Sequence, residues 1–263
     1  MRCLFFVALF FWSHSALSDS HGTHQSIATT CLPTHSGTYE QVARVTDGDT
    51  IVLEDGRRVR VIGVNALEMN SKAAEDQIWA DTAKTALNSW IGDKPVKLVI
   101  GKSEHDRYGR TLAHLLLENG RNAAEKLIEN GLALAVSVGK NSACAEHFQQ
   151  IENQTRQNKR GIWQKPGDWL VDTTTLRGNE RGFRLVISQV KSVRGKKRKT
   201  ILYLRNGLEV KLGSQWRALT DTLPIGVESL VGKTVAIKGW LSSSSGRIKV
   251  TLNHPANLRV VHN

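Results

Sequence analysis

In the stretch TDGDTIVLEDGRRVRVIGVNALE, residues 46–68, two aspartates flank one glycine as Asp47-Gly48-Asp49, and Arg60, Asn65 and Glu68 follow at close spacing. Carboxylates and amide oxygens are hard donors, suited to Ca²⁺ or Mg²⁺ more than to zinc. Arg60 lies inside a strand-like alternation, on the face opposite Val59 and Val61. An arginine in that position is costly to bury unless it meets a carboxylate or another anion. Further on, Asp106-Arg107-Tyr108-Gly109-Arg110 puts two guanidiniums and a phenol on one turn, and a guanidinium matches a phosphate bidentately. Each group alone is common on protein surfaces. Their joint occurrence points to a site for a metal ion and a phosphate.

The flanking sequence supplies elements to position these groups. Residues 42–64 read as paired strands turning at Asp55-Gly56. Residues 73–90 follow a helical period with Ile78, Trp79, Ala83, Leu87 and Trp90 near one face. Residues 96–100 and 112–117 read as strands around the polar turn, with His105 and His114 as strand-flanking residues. Asn122 caps a helix ending at Gly131, and 145–160 is a polar helix anchored by Phe148 and Ile151 and ended by Gly161-Ile162-Trp163.

The ordered motifs DGDT, VRVIGVNALE, DRYGR, ENGLALA and KRGIW resemble the staphylococcal nuclease family over residues 40–165. The resemblance implies a five-stranded Greek-key barrel of OB type with helices, and Ca²⁺-dependent hydrolysis of DNA and RNA phosphodiesters leaving 3′-phosphate ends. It also implies residue roles. Asp49, Asn65 and the Ala66 carbonyl would hold the metal, with Asp47 beside them. Arg60 and Arg110 would bind the phosphate, Glu68 would activate or orient the attacking water, and Tyr108 and Arg107 would contact substrate. Four positions depart from the best-known form of the motif. Asn65 replaces a metal carboxylate, and Ala66 replaces a threonine whose ligand is the backbone carbonyl. Leu67 replaces a proline, which loosens the turn carrying Glu68, and Ser137 stands near the place of a base-stacking tyrosine.

Beyond residue 165 the pattern changes. Residues 166–182 read as a linker rich in Gly and Thr with Pro166. From 183 to 263 short strands alternate with turns, which implies a second small β-barrel, OB-like in one reading. The chain of 263 residues carries a formal net charge of +12. Residues 177–263 hold 17 Lys and Arg against 4 Asp and Glu, whereas residues 1–176 hold 19 against 20. The basic balance therefore belongs to the second unit, densest at Lys196-Lys197-Arg198-Lys199. Such a run suits a phosphate backbone; the alternative is a solvated hairpin tip. No amphipathic basic helix favours a lipid surface.

The first 18 residues have the form of a signal peptide: Arg2, a ten-residue apolar core too short to span a bilayer, then small residues at Ala16-Leu17-Ser18. An uncleaved anchor is the alternative. Cleavage would leave an arm over 19–39, an exported (periplasmic or secreted) chain without stable membrane insertion, and one pair of cysteines, Cys31 and Cys144. In an oxidising compartment that pair forms a disulfide if its geometry allows. The expected function is an exported calcium-dependent nuclease acting on DNA and/or RNA. The alternative is a non-catalytic nucleic-acid-binding protein on the same barrel.

Overall fold

The computed structural model describes residues 31–32, 37–69, 73–165, 167–172, 176, 181–195, 200–213, 216, 226–244 and 246–261. The proposed leader, most of the arm and the 196–199 run lie outside the described residues.

The first unit is built from β1 (Thr38–Glu40), β2 (Val42–Asp47), β3 (Thr50–Leu53), β4 (Arg58–Val61), β5 (Val64–Ala66), α1 (Ala74–Ile91), β6 (Val96–His105), β7 (Thr111–Leu116), α2 (Ala123–Glu129), β8 (Ala133–Ala135) and α3 (Ala145–Gln157). Six strands form one curled sheet in the order β1-β6-β7-β4-β3-β2, while β5 pairs with β8 apart from it. All four residues of β3 are buried, and Val59 and Val61 alternate inward on β4. This is the OB-type arrangement expected for residues 40–165. Asp55 makes the anticipated turn, its Oδ1 accepting the Arg57 N–H at 2.9 Å, with Gly56 at φ 85°.

Helix α1 turns the expected face inward apart from Ile78: Ala83 and Leu87 are buried, and Trp79 and Trp90 pack partly buried against the core. Asp76, Ala80, Ala83, Leu87 and Ile91 are buried, and Ile78 is 61% exposed. The small Ala80 and Ala83 let the helix approach the barrel closely. His114 is not strand-flanking: it sits inside β7 and is buried. Asn122 caps α2 as expected, its Oδ1 accepting the Ala124 N–H at 2.9 Å. Cys31 and Cys144 form a disulfide with their Cα atoms 5.1 Å apart, tying the arm to the start of α3 across 113 residues.

The second unit contains β9 (Leu170–Asp172), β10 (Gly182–Arg194), β11 (Ile201–Leu204), β12 (Glu209–Leu212), β13 (Thr234–Ser244), β14 (Arg247–Leu252) and β15 (Leu258–Val260). The strands run β10-β11-β12-β14-β13, and β13 pairs back onto β10, so five strands close a barrel. Its interior is apolar, with Val186, Leu202, Val210, Val235 and Val250 buried.

The two barrels share a core. The stretch expected as a linker carries β9, which pairs in parallel with β10, and buried Trp169. Leu67, Leu134, Ile162 and Trp163 of the first unit join Trp169, Phe183, Leu185 and Ala236 in one apolar cluster. Two polar links cross the same seam. Lys238 Nζ pairs with Glu152 Oε2 at 2.7 Å, both side chains buried. The Asn257 side chain accepts the Ser137 N–H at 2.9 Å and donates to the Ser137 carbonyl at 2.7 Å.

Candidate active site

The Asp47-Gly48-Asp49 run closes the β2–β3 hairpin. Asp47 ends β2 opposite Thr50, and Gly48 and Asp49 form the turn, so the two carboxylates do not share a strand face. Gly48 is required by space. A Cβ there would lie 2.6 Å from Ala83 Cβ and 2.7 Å from Ala66 Cβ, so helix α1 and strand β5 press on the turn from either side. That compression delivers Asp49 to β5.

Four hydrogen bonds then close a ring. Asp49 Oδ2 accepts the Ala66 N–H at 2.8 Å and pairs with Arg60 Nη2 at 2.8 Å. The same Nη2 donates to Asn65 Oδ1 at 3.0 Å, and Asn65 Nδ2 donates to the Ala66 carbonyl at 2.9 Å. Arg60 is held from behind, its Nη1 donating to the carbonyls of Val61 at 2.9 Å and Val64 at 2.8 Å. Thr50 Oγ1 donates to Asp49 Oδ1 at 3.0 Å. The cost of a buried strand arginine is thus met by one carboxylate and three oxygen acceptors.

Glu68 stands at the exposed rim. Partial desolvation raises its carboxyl above the ordinary range, and the negative charges of Asp47 and Asp49 add to this. The Asp47 carboxyl is raised too, by burial first and by Asp49 second. The charges of Arg60 and Arg110 act on Glu68 in the opposite sense. Three carboxylates and two guanidiniums therefore share one electrostatic neighbourhood.

Arg110 is positioned by Asp106, a residue that sequence reasoning did not single out. Asp106 Oδ1 accepts the N–H groups of Tyr108 at 2.8 Å and Arg110 at 3.0 Å, and its Oδ2 accepts Arg110 Nε at 2.7 Å. Burial raises the Asp106 carboxyl, but these bonds from Arg110 and Tyr108 outweigh it and hold the group below the usual range. The signal was present in the motif, since an aspartate two to four residues before such donors makes an Asx turn. Arg107 Nη2 donates to the Tyr108 hydroxyl at 2.5 Å, with the guanidinium over the ring. Tyr108 is exposed, and neither residue bonds to Asp49, Arg60, Asn65 or Glu68 among the described residues.

Among the described residues no three His, Cys, Asp or Glu side chains converge on one point. The candidate donor set is instead one carboxylate, one amide oxygen and one backbone carbonyl: Asp49, Asn65 and Ala66. Asp49 Oδ1, Asn65 Oδ1 and the Ala66 carbonyl each accept one side-chain hydrogen bond here and keep a second lone pair, whereas Asp49 Oδ2 accepts two hydrogen bonds. All are hard donors, and the mutual repulsion felt by Asp47 and Glu68 is the field that a divalent cation relieves. The residues fit calcium, with water completing its shell.

The family model described as "Staphylococcal nuclease homologue" matches residues 58–165. A thermonuclease of Staphylococcus hyicus is 36% identical over 127 residues, covering 47% of this chain and 74% of that protein. The chain belongs to the staphylococcal nuclease family. A second thermonuclease, from Staphylococcus intermedius, is 31% identical over 127 residues, with 75% of it covered. Endonuclease YhcR of Bacillus subtilis is 29% identical over 166 residues, which is 57% of this chain but 13% of that much longer protein.

Within the family frame, two departures in the motif acquire a physical setting. Leu67 is buried in the seam between the barrels, so the turn carrying Glu68 is anchored by packing where a proline would fix it by its ring. Ser137 is buried, with both its backbone groups held by Asn257 of the second barrel. The segment following β8 is thereby part of a docking contact.

Proposed function

We propose that the chain is an exported calcium-dependent nuclease that hydrolyses phosphodiester bonds of DNA and/or RNA, leaving 3′-phosphate ends. The observation that carries this reading is the ring in which Arg60 bridges Asp49 and Asn65, with Glu68 and Arg110 facing the same charged space. Asp49, Asn65 and the Ala66 carbonyl would hold the ion, and Asp47 adds negative charge beside them. When bound, calcium supplies positive charge opposite the phosphate oxygens.

The protein groups account for the remaining chemistry. Arg110 has its Nε fixed by Asp106, which leaves the two terminal nitrogens of the fork for equatorial phosphate oxygens. Arg60 adds a second positive charge at the same centre, and both interactions strengthen as charge builds during in-line attack. Glu68 accepts a proton from water as the oxygen attacks phosphorus and the P–O5′ bond breaks, the departing O5′ taking a proton from solvent to leave as a 5′-hydroxyl. Tyr108 and Arg107 offer an exposed hydroxyl and guanidinium to the flanking substrate. The basic run Lys196, Lys197, Arg198 and Lys199 supplies phosphate contacts from outside the described residues.

Two features support export. The leader-like residues 1–18 have the pattern of a signal peptide, and the Cys31–Cys144 disulfide suits an oxidising compartment. Among the described residues no helix is long and apolar enough to cross a membrane.

Digestion of plasmid DNA and of RNA, with calcium or with excess chelator, tests the reading. Calcium-dependent cleavage and 3′-phosphate ends on the products are expected. Binding without any cleavage would instead favour a non-catalytic nucleic-acid-binding protein.

A further inference from the structure

Strand register divides the outer surface of the second barrel into two parts. One part faces the first unit. Phe183 lies opposite Trp240, Leu185 opposite Lys238 and Ile187 opposite Ala236 on the β10–β13 pair, and Phe183, Leu185 and Ala236 are buried in the seam. The other part runs across β14, β12, β11 and the end of β10. Its rows are Lys249–Glu209–Tyr203–Ser192 and Thr251–Lys211–Ile201–Arg194. The alternate residues Leu202, Val210 and Val250 fill the barrel, so these rows point outward.

Their composition is not that of a neutral solvated face. Arg194, Lys211, Arg247 and Lys249 are all exposed, against one carboxylate, Glu209. Glu209 is shared between Arg247 at 3.5 Å and Lys249 at 3.9 Å, which neutralises at most one of the four. Two aromatics bracket the cations. Tyr203 carries the Arg194 guanidinium 5.6 Å from its ring centroid. Trp240, at the border with the seam, is 44% exposed and is braced by the Phe183 ring 4.8 Å away. Two residues along β13 on the same face, Ser242 pairs with Lys249, and an indole left this open on the strand surface that continues into the basic rows matches an unpaired base next to its phosphate. A duplex would engage the cations alone, because its bases are already stacked.

We propose that this face of the second barrel is a platform for single-stranded nucleic acid, with bases stacked on Trp240 and Tyr203 and phosphates on Arg194, Lys211 and Lys249. The proposal rests on the nuclease reading for the identity of its partner and extends it by naming the strand form. It uses strand residues distinct from the 196–199 run.

Binding by the full-length protein is measured with calcium chelated, using a labelled oligothymidylate of about 16 nucleotides and a duplex of equal length. The single strand should bind more tightly. Trp240→Ala should weaken single-strand binding about tenfold and leave duplex binding where it was. Lys211→Glu should weaken both and reduce the salt slope. Trp240→Phe, which keeps an aromatic against Phe183, should give an intermediate loss and guards against a folding defect in the alanine variant. Equal affinity of strand and duplex, or unchanged single-strand affinity in folded Trp240→Ala protein, overturns the platform. A separate digestion by the parent protein in calcium keeps the two readings apart. Absent cleavage with Trp240-dependent binding removes only the nuclease reading, and cleavage without Trp240 dependence removes only the platform.

Discussion

Lys238 on β13 and Glu152 on α3 form a buried ion pair across the two barrels, 2.7 Å from Nζ to Oε2, while Glu152 Oε1 accepts the Ala135 N–H of β8 at 2.7 Å. Strand β8 pairs with β5, placing Leu134 opposite Asn65. The second barrel is thereby linked to the strand that carries two of the candidate metal ligands. Burial lowers the Lys238 pKa, an effect that Glu152 opposes. Lys238→Met should cost about 3–5 kcal/mol, because it leaves the Glu152 charge buried and unpaired. Adding Glu152→Gln should recover much of that loss, since the amide oxygen still accepts from Ala135. Urea unfolding of the two variants and the parent measures both values; a small loss in the single variant would show that the pair does not fasten the seam.

His114 gives the folded protein an acid-sensitive element. Burial lowers its pKa to about 4, against about 6.5 in an unfolded chain. Between these values the unfolded chain binds more protons, so stability falls as the pH drops from about 6.5 to 4 and is untouched by this group above that window. The full effect is about 3 kcal/mol. His114→Gln should flatten the acid limb of a thermal-stability profile. His254, whose pKa burial also lowers, would leave a residual slope of the same sign. An unchanged acid limb would mean that His114 titrates normally.

Asn65→Asp should tighten calcium binding on the order of tenfold, because it restores a negative charge to the donor set. The gain is moderated by loss of the Asn65 Nδ2 bond to the Ala66 carbonyl. Calorimetric titration reads the change directly, and unaltered or weaker affinity would remove Asn65 from the ligand set.

Replacing Lys196, Lys197, Arg198 and Lys199 with alanine should weaken nucleic-acid binding and flatten its salt dependence, by roughly 0.7–0.9 in slope for each phosphate that is no longer neutralised. Single-turnover cleavage at saturating substrate should change much less. Point variants are the right tool here. Deleting the whole barrel would uncover Leu67, Leu134 and Trp163 in the seam and disturb the turn that carries Glu68. A parent-like salt slope in the alanine variant would assign the run to another role.

The two barrels were legible in the sequence because their strands obey local rules. The alternation at Val59 and Val61 and the turn at Asp55-Gly56 each declare a strand or its end within a few residues. So do Arg247–Leu252, whose bounds coincide with β14. The site motif was legible as a set of residue types, but the hydrogen-bond ring was not, since it depends on β5 approaching the β2–β3 turn from 17 residues away. Strands β5, β8 and β9 are three residues each, too short to show a period. The seam was hidden for a similar reason. Lys238 looks like any strand lysine until Glu152, 86 residues earlier, lies beside it. The Pro, Gly and Thr of 166–182 read as a tether although Trp169 is buried among them. Helix α1 was legible from its period except at Ile78, which lies at the edge of the apolar stripe and faces solvent, while the buried line runs through Asp76, Ala80 and Ala83.

In the proposed reaction Glu68 takes the proton of the attacking water beside the Asp49–Arg60–Asn65 ring. The most direct measurement is the single-turnover cleavage rate of Glu68→Gln, with calcium and substrate both saturating. A fall of about 10²–10⁴-fold relative to the parent is expected, with substrate affinity retained. A rate within about twofold of the parent would contradict it, because the amide cannot accept that proton.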